Sequence, residues 1–133
     1  MNKLTRIFML SLLTLTIFAT VNQFAAAADN ISYEHYLIRS LNDENIGRRA
    51  SAARLLGEQK TVQAIEPLLK LLKKETDFRV RIVAVVSLSK VADSTIVPNL
   101  KTIHKYEKNN TVRHVLAGVI TELKNRNNIV TMQ

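Results

Sequence analysis

The sequence repeats itself at a constant spacing, and this repeat restricts the fold more than any other feature. The shift that brings Arg49 onto Arg81 also brings Arg81 onto Arg113. The same shift aligns small or apolar residues just beyond each arginine: Ala52 with Ala84 and Leu116, Ala53 with Val85 and Ala117, and Leu56 with Leu88 and Ile120. Because self-similarity at a fixed period is typical of stacked structural units, the sequence predicts a repeat protein.

A second set of matches appears at a slightly shorter shift. It aligns Ile38 with Leu69 and Leu100, and Leu41 with Leu72 and Ile103. One residue is therefore inserted between the two half-patterns from each unit to the next. Insertions are tolerated best in loops, so each unit is predicted to contain two helices joined by a turn.

Local patterns agree with helices. Leucines at 68, 69, 71 and 72 recur at spacings of three and four, as one face of a helix requires. Pro67 suits a first helical turn, and Asn45, Asp77 and Asn109 are residue types that cap helix starts. The predicted helices are 31–41, 46–58, 65–75, 78–91, 96–107 and 111–125. We expect an all-α fold, a short α-solenoid of three helical hairpins over residues 29–125, followed by a flexible tail at 126–133.

The N-terminal segment 1–28 has the pattern of a secretory signal peptide. Lys3 and Arg6 precede an uncharged apolar run, which is followed by the small residues 25–28. We predict cleavage near Ala27 or Ala28 and a periplasmic or secreted protein, with no membrane span left after cleavage. The alternative is an uncleaved membrane anchor, although the apolar run is shorter than the roughly 20 residues that a span needs.

The composition disfavours catalysis and the binding of a metal or cofactor. The chain has no cysteine, which excludes disulfides, a lipoprotein anchor and cysteine metal sites. His35, His104 and His114 have no spacing that would place two imidazoles on one helix face, and carboxylates occur singly. We therefore expect no active site, metal or cofactor.

The second helices resemble those of a known repeat family. The strings Arg49–Gly57 and Val80–Leu88 are similar to the second helix of HEAT repeats, and Ala64–Leu69 resembles the start of the first helix. The short type found in phycobilisome lyases is most similar. The resemblance implies a solenoid whose second helices line a concave face. It also implies that aspartate or asparagine pairs with arginine along the stack: Asn45 and Arg49, Asp77 and Arg81, Asn109 and Arg113. The third unit departs from the pattern at Gly118 and Thr121.

One candidate binding surface lies on the second helices. The helix 78–91 is apolar nearly all round, and Val83 and Val86 fall outside the repeat core. Exposed apolar strips commonly mark partner sites. The predicted surface consists of Arg48, Ser51, Arg54, Val83, Val86, Val115 and Val119, and would bind a protein or peptide in the cell envelope. The alternative is that curvature or the C-terminal tail covers these valines.

A second candidate surface is basic. Rows of cations recur at the shorter of the two shifts, and the predicted ridge consists of Arg39, Lys70, Lys74, Lys101 and Lys105. Such a ridge could bind an anionic partner or membrane surface; the alternative is an ordinary solvated face. Export and the scarcity of aromatic residues disfavour nucleic acid.

The sequence thus favours an exported adaptor or scaffold that binds a protein. Two other hypotheses stay open: an accessory subunit related to lyase-type repeats, and a binder of anionic surfaces. A weak homodimer is a further expectation, because Val112, Val115, Val119 and Ile120 leave the last helix less clearly capped.

Overall fold

The structure is a computed structural model that describes residues 2–130, and within that range it consists of helices without any β-strand. The α-helices are α1 (Lys3–Ser40), α2 (Ile46–Glu58), α3 (Ile65–Lys74), α4 (Phe78–Val91), α5 (Val97–Tyr106) and α6 (Asn110–Val130). Short 3₁₀ turns at Val62–Ala64 and Ser94–Ile96 precede α3 and α5. The predicted all-α class and its helical hairpins are confirmed.

The chain divides into two compact units, residues 1–35 and 36–133, and α1 runs through the boundary. In the first unit, large apolar side chains such as Leu10, Phe18 and Val21 are more than half exposed. Within residues 2–130, none of the helices combines the length and apolar character that crossing a membrane would require.

Two helix boundaries differ from the prediction by more than one residue. Helix α1 begins at Lys3 and not near residue 31, because the apolar N-terminal segment is helical as well. Helix α6 continues to Val130, so the helix includes the first residues of the segment predicted to be a flexible tail. Residues 131–133 of the predicted tail lie outside the described residues.

Asparagine and aspartate start the second helix of each unit. The Asn45 Oδ1 atom accepts from the Arg48 backbone N–H at 3.1 Å, and Asp77 Oδ1 accepts from Arg79 N–H at 2.8 Å. The Asn109 Oδ1 atom accepts from the N–H groups of Thr111 and Val112 at 2.9 and 3.1 Å. These bonds satisfy donors that have no partner inside the helix, which confirms the predicted capping role.

The core of the second unit lies between successive hairpins. Helix α4 packs against α2, α3 and α6, and α5 packs against α6. The aligned residues Leu56 and Leu88 are fully buried, as are Leu68, Leu72 and Leu100 on the first helices. Each hairpin therefore buries its apolar side against its neighbours, as stacked repeats require.

Gly57 allows α2 and α4 to approach closely. A Cβ atom at Gly57 would lie 2.8 Å from the Cα, Cβ and Oγ atoms of Ser87. This contact fixes the crossing of the two second helices and therefore the direction of the surface that they expose.

Candidate functional site

A ladder of buried ion pairs joins consecutive units. The Arg49 guanidinium donates to Glu75 through Nε at 2.6 Å and Nη2 at 3.0 Å, and the Glu75 side chain is only 3% exposed. The Nη1 atom of Arg49 donates to the carbonyls of Asp43 and Glu44 at 2.8 and 2.9 Å. One arginine thus ties the loop of its own unit to the loop of the next.

Arg81 repeats this arrangement one unit later. It donates to Glu107 at 3.1 and 3.0 Å, and to the carbonyls of Glu75 and Thr76 at 3.1 and 2.9 Å. Arg113 makes only the bonds within its own unit. Its Nη1 atom donates to the Glu107 carbonyl at 3.0 Å, and its Nη2 atom donates to the Asn110 side chain. The guanidinium geometry is therefore a property of the repeat.

The partners predicted for these arginines are wrong. Asn45, Asp77 and Asn109 were expected to pair with Arg49, Arg81 and Arg113, but they cap helices instead. The carboxylate two residues before each cap is better placed: Glu75 Oε1 also accepts from the Asp77 N–H at 3.0 Å, and Glu107 Oε1 accepts from the Asn109 N–H at 2.8 Å. The sequence signal was present, because Asp43, Glu75 and Glu107 align at the shift that aligns the three arginines.

The ladder carboxylates are held in their ionised form. Hydrogen bonds from Arg49 lower the pKa of Glu75, although burial opposes them. Burial also opposes the shift at Glu107, but the Asn109 N–H and Arg81 outweigh it and lower the pKa of Glu107. The bonds to Glu75 raise the pKa of Arg49, and the nearby charge of Asp77 adds to that rise. Because both the arginine and the glutamate of a ladder pair stay charged, the pair suits a structural role better than proton transfer.

Six of the seven residues of the predicted second-helix surface are exposed or half-buried. Arg48, Ser51, Arg54 and Val86 are exposed, and Val83 and Val115 are half-buried. Val119 is the exception: its side chain is buried in the core, so its inclusion was wrong. Val119 aligns with Ser87, the position that faces the preceding second helix, and not with the outward positions of Ser51 or Arg54.

Gly118 also belongs to this surface, although its sequence pattern did not single it out as a binding residue. It is exposed, aligns with Arg54 and Val86, and has no atom within 4 Å of where a Cβ would lie. We call Arg48, Ser51, Arg54, Val83, Val86, Val115 and Gly118 the second-helix face. Its apolar centre lies beside charged pairs, Arg54 with Glu58 at 2.8 Å and Arg126 with Glu122 at 2.8 Å.

The predicted basic ridge is exposed on the first helices. Arg39, Lys70, Lys74, Lys101 and Lys105 all reach solvent. Six ion pairs occur in the part of the chain that the structure describes, and arginine supplies the cation in each, while none involves a residue of the ridge. Lys105 Nζ lies 5.2 Å from the centroid of the Tyr106 ring.

Histidine, aspartate and glutamate side chains do not converge on a metal site in the described residues. That part of the chain contains no group of three or more that could hold an ion. His104 is half-buried on α5, whereas His35 and His114 are exposed on α1 and α6.

Comparison with known proteins agrees with the repeat geometry. A family model described as HEAT repeats matches residues 35–121, which is well over half of the chain. A search of curated proteins finds no match.

Proposed function

Because the chain belongs to the HEAT repeat family, whose members generally act as protein-interaction scaffolds, we propose that it is an exported scaffold that binds a protein partner. In this proposal the second-helix face makes the contact and the chain carries out no reaction of its own. Scaffolding is supported by the ladder, which commits the buried carboxylates Glu75 and Glu107 to joining units.

The exposure of Val86 carries the proposal. This side chain is 39% exposed in the middle of α4, between the half-buried Val83 and Val115. The open space over Gly118 adjoins it at the equivalent position of α6. An exposed apolar strip with a charged rim suits an amphipathic helix of a partner, which would place a bulky apolar side chain over Gly118.

Export is supported by the N-terminal sequence. The basic start, the apolar run and the small residues 25–28 are what a secretory signal requires. The partner would then be a protein of the cell envelope, reached in the periplasm or outside the cell.

Affinity capture from an envelope extract tests the binding surface. Tagged wild-type chain should retain a discrete protein, and Val86→Asp should lose it, because a carboxylate would be buried against the partner's apolar side chain. The matched control is Asn99→Asp, which introduces the same charge at an exposed residue of α5 outside the grooves. Equal capture by all three chains, at similar melting temperatures, would overturn the proposed surface.

Cell fractionation with intact-mass analysis tests export. We expect the chain in the periplasm or the medium, with its first residue at Ala28 or Asp29. A full-length chain that stays in the cytoplasm would contradict export without affecting the binding proposal.

A further inference from the structure

Three grooves on the side of the first helices meet at α3. The largest, of about 560 Å³, lies between the end of α1 and α3, and a second of about 280 Å³ adjoins it. Asn42, Lys70 and Lys74 line both grooves. A third groove, of about 450 Å³, lies between α3 and α5 and shares Lys73 with the first. Lysines at 70, 73 and 74 therefore line grooves on both sides of α3.

These lysines carry uncompensated charge. All three are exposed, and none is within ion-pair distance of a carboxylate in the described part of the chain. The nearby acids Glu75 and Glu107 are already bound by arginines. Only Glu66, at the first turn of α3, adds an unpaired negative charge to the largest groove.

Apolar walls separate the lysines. Ile38 and Pro67 are partly exposed in the largest groove, whereas Leu41, Leu69 and Leu71 line the grooves but are themselves buried. A flat anionic bilayer would reach the lysine tips and leave these walls uncovered. An extended polypeptide can enter a groove and alternate charged with apolar side chains.

The second and third grooves are equivalent by the repeat. Leu41 and Leu72 correspond, as do the ladder pairs that line each groove, Arg49 with Glu75 and Arg81 with Glu107. Neighbouring helices pack about 10 Å apart, which is close to the length of three extended residues. Acidic residues three positions apart would therefore reach both grooves. The basic side chains are not repeated with the grooves: Lys70 and Lys74 line the second groove, but the aligned Lys101 and Lys105 lie outside the third, which has Lys73 and Lys108 instead.

We propose that the grooves around α3 bind an extended acidic segment of a protein, at a site separate from the second-helix face. Carboxylates of the segment pair with Lys70, Lys73 and Lys74, and its apolar side chains pack on Ile38 and Pro67. Glu66 fixes the direction of the segment by repelling acidic residues at that end of the groove.

Fluorescence polarisation with a labelled synthetic peptide tests the site. The probe is a peptide of about 12 residues with glutamate at every third position and leucine and serine between. The double variant Lys70→Glu/Lys74→Glu should weaken binding by about tenfold or more. The matched control is Lys101→Glu/Lys105→Glu, which makes the same charge change at repeat-equivalent residues outside all three grooves. It should weaken binding by less than about threefold, through long-range charge alone.

Several results would overturn the site. Equal loss in both double variants would mean general attraction by a basic surface. If the protein bound the same peptide equally well with glutamine in place of glutamate, the lysines would have no role in binding. Binding of phosphatidylglycerol vesicles without binding of the peptide would assign these lysines to a membrane. Val86→Asp should leave peptide affinity unchanged, and a loss there would contradict two separate sites.

Discussion

The arginines of the ladder show how one side chain can define a repeat. A guanidinium presents several donors in a fixed plane, and Arg49 and Arg81 use them on a carboxylate of the next unit and on two carbonyls of their own. Lysine could not make this set of bonds. This explains why arginine supplies the cation in both ladder pairs, while the lysines of the first helices stay in solvent.

Removing a ladder carboxylate should be costly. Glu75→Gln leaves the largely buried Arg49 without its counter-charge, so we expect the free energy of unfolding to fall by about 2–4 kcal/mol. The matched control is Glu58→Gln in the exposed pair with Arg54, which should cost less than about 0.5 kcal/mol. Urea unfolding of both variants measures the difference, and similar costs would contradict a structural role for the ladder.

Acid should destabilise the fold through the same residues. The pKa values of Glu75 and Glu107 are lowered, and a hydrogen bond from the Arg79 side chain lowers the pKa of Asp77 to about 2. A lowered folded pKa means that the unfolded chain takes up protons first. This contribution to stability is therefore complete above about pH 5 and is lost as the pH falls toward 2. The urea concentration at the unfolding midpoint should fall over the same pH range, and it should fall less steeply with pH in Glu75→Gln. Equal pH slopes in the two chains would show that Glu75 does not cause the acid destabilisation.

At the scale of the helices, close packing depends on where glycine lies. Gly57 of α2 faces Ser87 across the contact with α4, whereas Gly118 of α6 faces open space. The two glycines therefore have opposite roles, one in the core and one on the second-helix face. Small residues in the repeat pattern indicate close approach of helices, but the pattern does not tell which glycine serves that purpose.

Alanine at the two glycines should separate these roles. Gly57→Ala places a Cβ 2.8 Å from the backbone of Ser87, and we expect it to lower stability by about 1–3 kcal/mol despite the better helix propensity of alanine. Gly118→Ala meets no atom within 4 Å and should raise stability by up to about 1 kcal/mol. Thermal melting followed by circular dichroism compares them. A stabilising Gly57→Ala would show that α2 and α4 can move apart without cost.

At the scale of the whole molecule, the outer side of α5 closes the stack of repeats. Leu68 and Leu71 are buried in the middle unit, but the aligned Asn99 and Thr102 are exposed and polar. Val112, Val119 and Ile120, on which the expected homodimer depended, are largely buried. The apolar surface that motivated a homodimer is thus mostly covered, and the dimer stays a prediction.

Core truncation should cost most in the middle unit. Leu88 is fully buried on α4, which contacts helices on both sides, while the aligned Ile120 on α6 is 8% exposed. We expect Leu88→Ala to lower the free energy of unfolding by about 3–5 kcal/mol, and Ile120→Ala by at least about 1 kcal/mol less. Urea titrations followed by circular dichroism and by tyrosine fluorescence should coincide in both variants. Equal costs would contradict a core centred on α4.

The sequence alone determined the helices, their caps and the repeat, because these depend on local periodicity and on residue types at fixed spacing. It predicted the helix starts at Asn45 and Asp77 and the exposed position of Val86. The tertiary structure decided which residues of different helices contact each other. It paired Arg49 with Glu75, buried Val119, and opened the space at Gly118, because these outcomes depend on the distance and rotation between helices of different units. Repeat periodicity gives equivalent positions, but only packing decides which of them meet.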